Sequence, residues 1–102
     1  MNRPGLSPSS AVVVTGGASG IGRACAHALA EVGRPVAIWD RQADAAEEAA
    51  AEIASAHGVA TFGVGLDVTA TDTLDAAAAE VATTLGPIGG LVHAAGTVSA
   101  DV

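Results

Sequence analysis

Hydrophobic positions along this chain repeat with two periods. Short apolar runs rich in β-branched residues read as strands: Ala11-Val12-Val13-Val14, Val36-Ala37-Ile38-Trp39, Thr61-Phe62-Gly63-Val64-Gly65-Leu66 and Leu91-Val92-His93. Most lack polar alternation, which suits a parallel sheet covered on both faces. Between them, helical spacing recurs. Ile21, Cys25, Ala28, Leu29 and Val32 predict a first helix, Ala46, Ala50, Ile53 and His57 a second, and Leu74, Ala78, Val81 and Leu85 a third. Asp44 with Glu47 three residues later has the pattern of a capping box for the second helix, and Thr69 or Thr71 suits the cap of the third. Gly33 with Pro35, then Gly58, then Gly86-Pro87-Ile88-Gly89-Gly90 stop the three helices. Alternating strands and helices predict an α/β fold built on a doubly wound parallel sheet. Two right-handed crossovers and a reversal give the strand order 3-2-1-4.

Composition sharpens this picture in three ways. The chain has 102 residues, room for one unit, with 50% hydrophobic and only 15% charged residues, which argues for a packed core. Aromatics make up 2% and tyrosine is absent, so small side chains must bring helices close to the sheet. A net charge of −7 disfavours a nucleic-acid or anionic-membrane partner. Residues 1–10 are polar, contain proline and serine, and lack the apolar core of a signal peptide; they are expected to be a flexible tail ahead of a folded unit over 11–102. No apolar run approaches the ~20 residues of a membrane span, and the lone Cys25 excludes an internal disulfide. A cytoplasmic location is expected.

The candidate chemistry lies where the first strand meets the first helix, in Thr15-Gly16-Gly17-Ala18-Ser19-Gly20-Ile21-Gly22. Glycines at 16, 20 and 22 form G-x-x-x-G-x-G. A G-x-G-x-x-G frame does not exist, and a Walker loop is excluded because the chain has no lysine. A helix start offers unpaired N–H groups and partial positive charge, so glycines there let a diphosphate approach. The alternative is a glycine-rich turn without a ligand. Asp40, at the carboxyl end of the second strand and about 20 residues past the glycines, stands where a dinucleotide ribose would donate hydroxyls, or else is a strand-end turn residue. Its charge would oppose a 2′-phosphate, which favours NAD over NADP. Arg41 suits adenine stacking or a phosphate, or else is solvated. Asp67-Val68 is expected to reach the same sheet edge, and Gly96 would sit beside Gly16 at the reversal between strands one and four. The imidazole of His93 offers a catalytic role as one reading, but a structural strand-end residue bonded to backbone is expected.

Other polar residues read as scaffold. Cys25 and His27 are two apart on a helix and do not face each other; Cys25 is assigned to the core. Glu47, Glu48 and Glu52 fall on an outward, solvated face of the second helix, with His57 at its end. One cysteine and three scattered histidines offer no metal-ligand spacing.

The eight residues from Thr15 to Gly22 resemble the T-G-x-x-x-G-I-G cofactor motif of the short-chain dehydrogenase/reductase family. Asp40, Asp67-Val68 and Ala95-Gly96 follow in the family's order, so the resemblance covers nearly all of Ala11 to Gly96. It implies a Rossmann-type fold, of which residues 11–102 are a part, and an NAD-dependent transfer of hydride to or from an alcohol or carbonyl substrate. It implies cofactor contacts at Thr15, Gly16, Ser19, Gly20, Ile21, Gly22, Asp40 and Arg41. Asp67 and Val68 would hold the adenine through a carboxylate and a backbone N–H. Ala94, Ala95 and Gly96 would line the adenosine side, although the family's N-N-A-G reads His93-Ala94-Ala95-Gly96 here, without either amide side chain. Family members carry a catalytic serine and a Tyr-x-x-x-Lys pair in a further part, and this chain has neither tyrosine nor lysine. The expectation is therefore a cofactor-binding portion with no catalytic residue of its own, inactive alone and inclined to associate through its fourth strand and third helix. Two alternatives remain open at this point, a non-catalytic NAD-binding or interaction module and a methyltransferase-like half-sheet.

Overall fold

In the computed structural model, which describes residues 10–18, 20–66 and 71–93, strands and helices alternate without exception. The elements are β1 (Ala11–Thr15), α1 (Gly20–Glu31), β2 (Val36–Asp40), α2 (Ala43–His57), β3 (Thr61–Gly65), α3 (Thr71–Leu85) and β4 (Ile88–His93). All strand pairs are parallel and their order is β3-β2-β1-β4, as expected. Val14 lies opposite Ile38 and Val92, which places the carboxyl ends of β1, β2 and β4 side by side.

Strand side chains alternate in direction, and each set finds its own cover. Val12, Val14, Val36 and Ile38 pack with Ala26 and Ala30 of α1 and Ala46, Ala49, Ala50 and Ile53 of α2. Ala11, Val13, Ala37 and Trp39 face the other way, onto Ala77 and Val81 of α3. Leu74, Ala78 and Leu85 join this second layer, so the apolar stripe of α3 is covered by the sheet.

The glycines of β3 have a packing reason. Gly63 and Gly65 face α2, where a Cβ at Gly63 would overlap the Ala46 backbone and one at Gly65 would overlap Ala43. Their neighbour Thr61 caps that contact with a hydrogen bond from its hydroxyl to the Ala50 carbonyl at 2.8 Å. What weakens an isolated strand here lets a helix lie close.

Several expectations need correction. The buried face of α1 is Gly22, Ala26 and Ala30, and of the expected stripe Leu29 packs half-buried against this core, whereas Ile21 is 63% exposed, Ala28 is exposed, Cys25 is only half-buried and Val32, just past the helix, is 70% exposed. Close approach selects the smallest side chains, because a Cβ on Gly22 would overlap the Gly16 carbonyl. In α2, Gln42 occupies the N-cap without a side-chain bond, and Asp44 lies inside the first turn, where its charge suits the helix dipole. Gly89 and Gly90 belong to β4: pairing slips between Ala11↔Ile88 and Val12↔Gly90, so they carry a bulge, and only Gly86 and Pro87 make the turn. Gly33, with φ 92°, closes α1 by donating to Ala30 at 2.9 Å while Arg34 donates to Leu29 at 3.2 Å, and Gly58 (φ 70°) closes α2. Thr69 lies outside the described residues, and β3 ends one residue before Leu66.

Gly22→Ala is expected to destabilise the fold by about 1–3 kcal/mol in denaturant unfolding, since backbone must move to admit the methyl group. Ile21→Ala should cost under ~0.5 kcal/mol. The reverse ranking would show that α1 turns its large apolar side chains inward.

Candidate cofactor site

The sheet's carboxyl edge gathers the described part of the candidate site. β1 runs into Gly16, whose N–H donates to the Trp39 carbonyl at 2.7 Å and whose φ of 68° turns the chain out of the sheet. Gly17 then passes over Ile38, with only 3.0 Å for a Cβ. Ala18 is buried, and the chain enters α1 at Gly20, where φ is 61° and the space beside the backbone is open. The first turn of α1 contains no acidic residue. Open space and a helix start with no acid in its own first turn fit an anionic diphosphate.

Asp40 ends β2 directly beside this turn. Its Oδ2 accepts from the Ala18 N–H at 3.2 Å and its Oδ1 from the Gln42 N–H at 3.1 Å. Each carboxylate oxygen retains a second acceptor position, so the two tethers leave capacity for sugar hydroxyls. The strand-end turn and the ribose acceptor are thus compatible roles for one side chain. Arg41 follows as an exposed residue.

Thr15 and His93 meet at the switch point between β1 and β4. The Thr15 Oγ1, 3% exposed as a residue, lies 3.0 Å from His93 Nδ1 and 3.4 Å from the Val92 carbonyl. The expected backbone partner for His93 is corrected to this hydroxyl. The hydroxyl has one proton to give, so it donates to only one of these two partners, and the role of Nδ1 follows from the tautomer of the ring. On the α3 face, Trp39 Nε1 is buried with no hydrogen-bond partner among the described residues.

The structure brings together Thr15, Gly16, Gly20, Ile21, Gly22, Asp40 and Arg41. Ser19, Asp67, Val68, Ala94, Ala95 and Gly96 lie outside the described residues. One set of contacts was missed from sequence. Arg23 Nη1 donates to the Ala18 carbonyl at 3.2 Å, and its Nη2 pairs with Glu52 Oε1 across the α1–α2 contact. Glu52 Oε2 lies 3.2 Å from His27 Nε2, and His27 Nδ1 lies 3.0 Å from His57 Nε2. Glu52 and His57 are therefore partnered rather than simply solvated. The available signal was the four-residue spacing of Arg23 and His27, which puts both on one helix face. Among the described residues no group of three His, Cys, Asp or Glu side chains can hold a metal, and no helix is long and apolar enough to cross a membrane.

Comparison with known proteins agrees with this geometry. A family model described as short chain dehydrogenase matches residues 10–102. The chain is 40% identical over 90 residues to 2-dehydro-3-deoxy-L-rhamnonate dehydrogenase (NAD(+)) of Sphingomonas sp. strain SKA58, covering 88% of this chain and 34% of that protein. It is 46% identical over 71 residues to inactive 2-(S)-hydroxypropyl-CoM dehydrogenase 2 of Xanthobacter autotrophicus, covering 70% of this chain and 29% of that protein. The crystal structure of L-sorbose reductase from Gluconobacter frateurii, complexed with NADPH and L-sorbose, superposes with a TM-score of 0.76 at 32% identity, covering 81% of this chain and 32% of that one. The chain thus spans about a third of the length of these relatives.

Asp40→Ala should loosen the glycine turn. Hydrogen exchange at the Ala18 and Gln42 amides is expected to accelerate, and stability to fall by about 1–2 kcal/mol. Unchanged protection of Ala18 would mean that the carboxylate does not hold the turn.

Proposed function

Because this chain belongs to the short-chain dehydrogenase family, we propose that it forms the NAD-binding portion of an oxidoreductase acting on an alcohol or carbonyl substrate. The observation that carries this reading is the junction of Asp40 with the glycine turn: the carboxylate and the opening of α1 stand on one sheet edge, tied through the Ala18 N–H. In the proposed arrangement the N–H groups that open α1 at Gly20, Ile21 and Gly22 receive the diphosphate, while Gly16 keeps the backbone out of its way. Asp40 accepts from the adenosine ribose hydroxyls. Thr15 sets the separation of β1 and β4 through His93, and Arg41 lies toward the adenine. Ser19, Asp67, Val68, Ala94, Ala95 and Gly96 complete the same pocket. Residues 11–102 then act as part of a dinucleotide-binding domain.

Bound NAD would supply the hydride acceptor. The 102 residues contain neither tyrosine nor lysine, so this chain's own contribution is binding and orientation of the cofactor. A similar chain segment is found in the inactive relative, which supports a second reading, a non-catalytic NAD-binding module. Both readings share the same cofactor site. The methyltransferase alternative falls with the family assignment.

The choice of NAD over NADP rests on Asp40, since a 2′-phosphate brought against that carboxylate meets like charge. Titration by calorimetry should show NAD binding more tightly than NADP by tenfold or more, and Asp40→Ser should remove most of that preference. In NMR, NAD should shift the amides of Gly20 and Gly22. Equal affinities in the wild type, or no shift at saturation, would refute this placement.

A further inference from the structure

Ala18 is gripped from both sides of its residue. Its N–H is taken by Asp40 at 3.2 Å, and its carbonyl accepts from Arg23 at 3.2 Å. Arg23 is itself held: one arm of its guanidinium reaches back to Ala18, and the other meets Glu52 of α2. Glu52 uses its second oxygen on His27, one turn further along α1. We propose that Glu52 is a positioning residue for nucleotide binding, which acts through Arg23 to hold the Ala18 carbonyl and so fix the turn that presents the α1 amides. The proposal rests on reading that turn as the seat of a diphosphate.

The chemistry of the pair supports an indirect action. A guanidinium is planar, and donors on two of its nitrogens point in set directions, so fixing one arm on Glu52 directs the other toward Ala18. A turn already in its binding conformation loses less freedom when a ligand arrives. The side chains of Arg23 and Glu52 are 32% and 48% exposed, which limits the gain to the scale of a surface ion pair.

Charge makes the proposal sharply testable. The chain carries −7, so removing a carboxylate should by itself favour an anionic dinucleotide. The clamp requires the opposite sign. With the full chain and NAD as the probe, Glu52→Gln is expected to raise the Kd by about fivefold with the thermal transition retained. Glu48→Gln, an exposed charge loss on the same helix, should leave the Kd unchanged or lower it. Glu52→Asp keeps the charge but shortens the reach, and should also weaken binding, which provides a second variant if the first fails to fold. Arg23→Lys should weaken binding similarly, and adding Glu52→Gln to it should cause no further loss. A Kd raised threefold or more in a folded Glu52 variant supports the clamp. A smaller change, or tighter binding, overturns it while leaving the diphosphate seat intact. Failure of the wild type to bind NAD would instead overturn the seat, and the clamp with it.

Discussion

The structure depends on how closely α1 approaches the end of β1. Gly22 lies against the Gly16 carbonyl with no room for a methyl group, and the helix continues this contact with Ala26 and Ala30. A helix brought this near begins almost on top of the strand, so its opening amides sit at the sheet's carboxyl edge rather than out in solvent. The unpaired amides and partial positive charge of the helix start are thereby placed where β2 ends. The same logic governs α2, whose approach to β3 is permitted by Gly63 and Gly65. A core poor in aromatics is built this way because backbone proximity substitutes for side-chain bulk.

Proximity creates a problem of its own, since a turn crowded with glycine is free to move. Asp40 and Arg23 answer it from two directions, one from the sheet and one from the helix. Neither contact is individually strong, but they act on the N–H and carbonyl of a single buried residue, Ala18. The ribose acceptor of the proposed site is also the restraint on its phosphate-binding turn. A substitution at Asp40 therefore changes two things at once, and affinity measurements on such variants have to be read beside turn dynamics.

The switch point shows how a departure from the family pattern is absorbed. Where the family places an asparagine, His93 brings a ring nitrogen within 3.0 Å of the Thr15 hydroxyl, so β1 and β4 remain linked by side chains at this edge. The matched segment covers 34% and 29% of these two relatives, and one of them is an inactive protein. Similarity over this segment thus speaks to cofactor binding more directly than to turnover.

Much of the architecture was legible because it rests on local rules. Apolar runs gave the strands, helical spacing gave α2 and α3, positive-φ glycines gave the helix ends, and the handedness of crossovers gave the order of the sheet. The glycine turn and Asp40 were legible as a pair because strand, turn and helix follow one another along the chain. The face of α1 was misread, since size and hydrophobicity pointed to Ile21 and Val32 while packing distance selected Gly22, Ala26 and Ala30. Likewise, the four-residue spacing of Arg23 and His27 marks one face of α1, but Glu52 is 29 residues from Arg23 in sequence and nothing local says that it meets that face. By itself the sequence determined which segments become strands and helices and which glycines turn β1 into α1, because those follow from neighbours in the chain. Only the tertiary structure decided which helix face lies inward and which distant charges meet, because both depend on the separation between packed elements.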